Sequence, residues 1–167
     1  MSLTNPFQEN HIEESKPSSL LNTAAILSII GSVVALINSL TSYFNAEKNY
    51  ERISKMLNSE EIKQAPSFVK SIFNENSLMM AQKMIENKLP LLIIGIIGSF
   101  LCFFGAIFMR KLKKDGYFLW LTGELLHVLS NIIFIGTAVY AGISLLNLLF
   151  PLAFIVIYTL CKKELVN

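Results

Sequence analysis

Charge is distributed so unevenly along this chain that the distribution alone decides its class. Pro17 to Ala46 contains no Asp, Glu, Lys or Arg in 30 residues, Leu89 to Met109 contains none in 21, and Phe118 to Leu160 contains one, Glu124, in 43. The remaining residues carry 25 of the 26 charges. A soluble core of this size has no use for apolar runs that long. An ordinary soluble domain, a disordered chain and a nucleic-acid binder are therefore excluded. The expected class is an all-α polytopic membrane protein in contact with the lipid bilayer.

A helix needs about 20 apolar residues, at about 1.5 Å each, to cross roughly 30 Å of hydrocarbon. Residues 20–44 and 89–109 each meet that length, the second bounded by Lys88 and Arg110. The 43-residue stretch is too long for one span, and Ala141-Gly142 divides it into spans at 117–140 and 143–161. Four transmembrane helices in an antiparallel bundle follow, with a short helical cap outside the membrane. Pro90 lies in a first helical turn, where a missing N–H does no harm, whereas Pro151 lies mid-span and is expected to kink the fourth helix.

Basic residues near span ends set orientation. The turn 110–116 places Arg110, Lys111, Lys113 and Lys114 within seven residues, and Lys162 and Lys163 follow the fourth span. These segments are assigned to the cytoplasm, which puts both the polar tail 1–19 and the C-terminus 162–167 there. The same basic turn suits anionic lipid headgroups. The 45–88 loop also carries seven cations, but density in short loops outweighs the raw number in a long one. Residues 1–19 are polar and mildly acidic and lack a clean cleavage signature, so the first span is expected to remain in the mature protein. His11, in that tail, is expected to be solvated.

The 45–88 segment holds six acids and seven bases, interleaved, and no Cys, His or Gly. Tyr50, Ile53 and Leu57 follow helical spacing, so span one is expected to continue outward to about Leu57. Pro66 breaks the next stretch. Phe68, Val69, Ile72 and Phe73 form an apolar face, and a further helix over about 77–88 runs into span two. A helical cap lying against the membrane surface is the simplest account; the alternative is a docking site whose Met and Phe side chains adhere to a partner.

Small residues line up along the first two spans. Ser28, Ser32, Ala35 and Ser39 recur at i, i+4, i+7 and i+11, and Gly95, Ser99, Cys102 and Ala106 repeat that spacing. Small stripes let helices approach closely in lipid, so spans one and two are expected to pack together. In span three a 100° rotation per residue gathers Gly116, Trp120, Gly123, Glu124, His127, Ser130, Asn131, Phe134, Thr137, Ala138 and Ala141 on one arc. In span four Ser144, Asn147, Pro151, Phe154, Tyr158 and Cys161 share a face. Depth counting places Glu124, Cys102 and Ser28 roughly 12 Å from the cytoplasmic ends, and Asn131 opposite Asn147 at roughly 21–23 Å. Tyr117 and Trp120 sit at the depth of an interfacial aromatic belt.

An acid inside a membrane costs about 2.5–3.5 kcal/mol on insertion scales, so Glu124 requires an explanation. At i, i+3 from His127 it is placed to share a proton with the imidazole. A carboxylate-bridged metal site needs a second Glu-x-x-His and further acids on facing helices, and the other spans have none. No metal or cofactor is therefore expected. Neither a nucleophile–base pair nor a Cys motif with Cys102 and Cys161 is evident, so the chain is not read as an enzyme. Two roles remain: a hydrogen-bonded seam in which Glu124 and His127 fasten the bundle through Ser28, Cys102 or Ser99, or proton-coupled transport around the lone carboxylate.

The run from Gly105 through Arg110-Lys111-Leu112-Lys113-Lys114-Asp115-Gly116-Tyr117 to Glu124 resembles a junction found in small, uncharacterised four-span bacterial inner-membrane proteins. The resemblance covers residues 45–160 and implies that membrane and that fold, with no activity and no functional residue. The expected function is a non-enzymatic accessory, assembly or scaffold role, with a partner membrane protein or further copies of the chain as partners and no nucleic acid. The alternative is a small oligomeric transporter or channel built around Glu124 and His127.

Overall fold

The computed structural model describes residues 16–140 and 145–165, and among them every regular element is helical. The order is α1 (Ser19–Leu57), α2 (Glu60–Gln64), α3 (Ser67–Ile72), α4 (Glu75–Glu86), α5 (Lys88–Arg110), α6 (Lys114–Phe134) and α7 (Leu146–Cys161). Three of them, α1, α5 and α6, are long and apolar enough to cross a membrane. The polar tail, His11, Ala141-Gly142 and Ser144 lie outside the described residues.

Helix α1 opens on Ser18, whose Oγ accepts from the N–H of Leu21 at 3.2 Å and caps one of the unpaired first-turn donors. It then runs 39 residues without interruption, about 58 Å, nearly twice the hydrocarbon thickness. Its outer third carries Glu47, Lys48, Glu51, Arg52 and Lys55. The chain turns back through α2 and α3, and α4, capped by Asn74 Oδ1 on the N–H of Ser77 at 3.0 Å, returns along α1. Ala46 and Ala81 are buried where the two helices meet. The 45–86 segment is thus a helical hairpin continuing the line of α1. The chain breaks at Asn87 before α5, whose amide Nδ2 donates to Lys83 O at 3.0 Å and Phe134 O at 3.3 Å, serving the carbonyl ends of α4 and α6 together.

Helices α5 and α6 form an antiparallel hairpin joined by a three-residue turn. Lys113 N–H donates to Phe108 O and Leu112 N–H to Met109 O, the paired bonds of a Schellman ending. Leu112, at the position that glycine usually takes, adopts φ 57° and is nonetheless 94% buried, with 6% relative exposure. The basic turn is therefore shorter than 110–116, and α6 begins at Lys114.

The third span does not continue to Tyr140. Helix α6 stops at Phe134, Gly136 takes φ 110°, and Thr137–Tyr140 form a 3-10 turn. Thr137 and Ala138 consequently leave the inward arc. Helix α7, 16 residues with Pro151 inside it, measures about 24 Å and packs on α1 and α6. Its Tyr158 and Phe154 close over Trp120, with ring centroids 4.8 and 6.3 Å away. Trp120 and Tyr117 are therefore core residues, 1% and 9% exposed, and not members of an interfacial belt. The reason is tertiary: α7 covers the face that depth alone assigned to the membrane boundary.

Candidate functional site

The polar seam rests on how closely α5 and α6 approach. Gly95, Gly98, Ser99, Cys102, Gly105 and Ala106 are all buried on α5. Opposite them lie Gly116, Trp120 and Gly123. A Cβ added at Gly105 would lie 2.5 Å from the backbone nitrogen of Trp120, and one at Gly123 2.7 Å from Gly98 O. Backbone meets backbone, which only glycine allows. The same stripe serves both neighbours, since Gly95 abuts Ser39 of α1. The sequence places Gly116 and Gly123 on the inward arc and Gly95 in the α5 stripe; Gly98 and Gly105, seven residues apart and so on one helical face, were missed.

That close approach brings Cys102 Sγ to 3.6 Å from Trp120 O and 3.8 Å from Glu124 Oε1. Glu124 and Cys102, aligned by depth, thus sit side by side. Ser28 is at the same level but bonds elsewhere: its hydroxyl lies 2.7 Å from that of Tyr158. The other serines turn back on their own helices. Ser32 donates to Ser28 O, Ser39 to Ala35 O, Ser99 to Gly95 O and Ser130 to His127 O. Such back-bonding satisfies a hydroxyl without tying helices together. Ser28 and Ser32 are buried, whereas Ala35 and Ser39 are partly exposed.

Glu124 and His127 share a face, but no hydrogen bond joins them. His127 Nδ1 lies 2.9 Å from Gly123 O, and a carbonyl can only accept, so Nδ1 carries the proton and donates. Its Nε2 is buried and has no hydrogen-bond partner among the described residues. The ring forms part of the wall of a cavity of about 260 Å³ between α1, α5 and α6. Asn38, Ser39, Ser42, Ser130 and Asn131 supply polar wall, and Tyr43 and Lys88 stand at its outer end.

Asn131 Nδ2 donates to Tyr140 Oη at 3.2 Å, within the turn that ends α6. The side chain of Asn147, its expected partner, lies outside the described residues. At the opposite end Arg110 Nε donates to Asn22 Oδ1 at 3.0 Å. Lys113 lies over Phe108 and Lys162 over Tyr117, both with 5.5 Å from ammonium to ring centroid, while Lys111 and Lys114 are exposed. Among the described residues no three His, Cys, Asp or Glu side chains converge enough to hold a metal ion.

Chemically, the assembly offers a half-buried carboxylate beside a thiol, and one turn away an imidazole on a polar cavity. No protein family, curated protein or solved structure matches the chain.

Proposed function

We propose that the protein is a four-span resident of a bacterial inner membrane, with both termini cytoplasmic, acting as a non-enzymatic accessory, assembly or scaffold component. Helix α7 belongs to the fourth span, and the basic turn after α5 faces the cytoplasm. One observation carries the functional part: most of the polar side chains at membrane depth close on one another or on their own helix. Ser28 bonds Tyr158, Ser32 and Ser99 bond backbone carbonyls, and Glu124 faces the Cys102 thiol. What remains for another molecule is apolar helix surface, such as Ile30, Ile97, Ile133 and Phe150, and the outer hairpin.

A second role, proton-coupled transport, is favoured by the polar cavity that His127 lines and by its orphaned Nε2. Glu124→Gln separates the two, because glutamine keeps hydrogen-bonding capacity and cannot exchange a proton. Purification in mild detergent and reconstitution into liposomes provide the test. A stoichiometric larger partner, with Glu124→Gln behaving as wild type, supports the scaffold role. A homo-oligomer with proton flux that Glu124→Gln abolishes replaces it with transport.

A further inference from the structure

Lys48 and Arg52 stand one turn apart on the same stripe of α1 as Asn45 and Asn49. Among the described residues neither cation belongs to an ion pair; Glu47, next in the chain, is turned toward Lys88 instead. The stripe forms one wall of a groove of about 380 Å³ whose other wall is α4. The groove has two chemistries. Lys48, Arg52 and the asparagine amides line it together with the apolar Ala46, Ala81 and Met84. It also lies at a defined level, where the charge-free run of α1 ends at Ala46 and the first charges begin.

We infer that this groove binds the phosphate of a phospholipid headgroup. The inference rests on α1 being a membrane span, as proposed above. Arg52 offers planar, paired N–H donors to phosphate oxygens, and Lys48 adds a compact second charge. The amide side chains of Asn45 and Asn49 offer further hydrogen bonds to headgroup hydroxyls, and Met84, the more exposed of the apolar lining residues, is placed to meet the glycerol backbone. A soluble anion would use the cations but gain nothing from that apolar surface, and the groove's position at the end of the apolar run puts it level with lipid phosphates. An anionic lipid is preferred to a zwitterionic one because, among the described residues, neither cation is held in an ion pair.

The test is amine-reactive footprinting of Lys48 in the full chain, reconstituted into nanodiscs of phosphatidylcholine with increasing phosphatidylglycerol. Lys63, on the exposed α2, and Lys88, at the same level but paired with Glu47, serve as internal references. Labelling of Lys48 is expected to fall several-fold as phosphatidylglycerol rises, with Lys63 and Lys88 little changed. Arg52→Gln, a substitution at an exposed position, should require about five-fold more phosphatidylglycerol for half-protection, the equivalent of one cation worth about 1 kcal/mol. Equal Lys48 labelling at all compositions overturns the inference, as does an equal fall at Lys48 and Lys88, which would reflect general surface charge. Full protection by glycerol phosphate in pure phosphatidylcholine also overturns it, in favour of a soluble anion. Extraction of the protein from membranes by alkaline carbonate separately identifies failure of the spanning assignment.

Discussion

The hydroxyls of Ser28 and Tyr158 meet at 2.7 Å, both residues buried, and join α1 to α7 across 130 positions of sequence. Among the described residues no other hydroxyl pair links those helices, and Ser32, Ser39 and Ser99 bond to their own backbones. Tyr158→Phe is expected to destabilise the bundle by about 1–2 kcal/mol, since it leaves Ser28 without its partner. In a double-mutant cycle with Ser28→Ala, the coupling should be about 0.5–2 kcal/mol, and the double variant should lose less than the sum of the singles. Thermal unfolding in detergent micelles measures all four corners; strict additivity would show that the pair contributes nothing.

Two glycines within predicted spans should respond oppositely to the same substitution. Gly105→Ala forces a methyl group against the Trp120 backbone and should cost about 1–3 kcal/mol as α5 and α6 part. At Gly31 a Cβ would meet nothing within 4 Å, so Gly31→Ala should be neutral or stabilising by up to about 1 kcal/mol through helix propensity alone. Comparing the two melting temperatures checks the close-packing assignment directly.

Leu112 combines a left-handed backbone with a buried side chain. Leu112→Ala removes the burial, about 2 kcal/mol, and keeps the unfavourable backbone. Leu112→Gly removes the same burial but relieves about 1–2 kcal/mol of backbone strain. The glycine variant should therefore be the more stable of the two, reversing the usual helix order of alanine over glycine. Chemical denaturation of both variants decides it.

The ion pair between Lys88 and Glu47 predicts a modest pH dependence. Its hydrogen bond to Lys88 holds the Glu47 carboxyl below its ordinary 4.5, and the same bond raises Lys88 above 10.5. A depressed acid adds stability that is present above pH 4.5 and lost as pH falls through the folded value. A raised base adds stability that is present below pH 10.5 and lost as pH rises through its folded value. Wild type should therefore exceed Glu47→Gln across neutral pH and converge with it at both extremes. The difference will be small because both groups are exposed and screened. Melting temperature recorded against pH for the two proteins measures it.

How much of this was legible beforehand follows from where signals are local. The outward run of α1 to Leu57 shows in the spacing of Tyr50, Ile53 and Leu57, and the ends of α5 show in Lys88 and Arg110. The end of α6 was hidden because Phe118 to Leu160 has no charge or proline near residue 134, and Gly142 marks a break as plausibly as Gly136 does. Only the backbone geometry of Gly136 distinguishes them. Trp120 was ambiguous for another reason: its face is inward on the helical wheel yet near the boundary by depth, and the aromatic lid from α7 resolves the conflict. Glu124 was conspicuous by its charge and Cys102 by its matching depth, but which of Ser28, Cys102 and Ser99 lies beside the carboxylate follows only from the glycines that draw α5 and α6 together. The groove beside Lys48 and Arg52 was not foreseen, because α4 forms its second wall, although the i, i+4 cations on a stripe of asparagines were visible.

The unbroken length of α1 has a mechanical consequence. A rod of about 58 Å with no break along its 39 residues makes the hairpin and the apolar part of α1 a single lever. Pivoting α1 by 10° about its Ser19 end would carry Leu57 sideways by about 10 Å. A load on α2 and α3 therefore arrives inside the bundle as a change of tilt, delivered to the stripe that holds Ser39 against Gly95 and Ser28 against Tyr158.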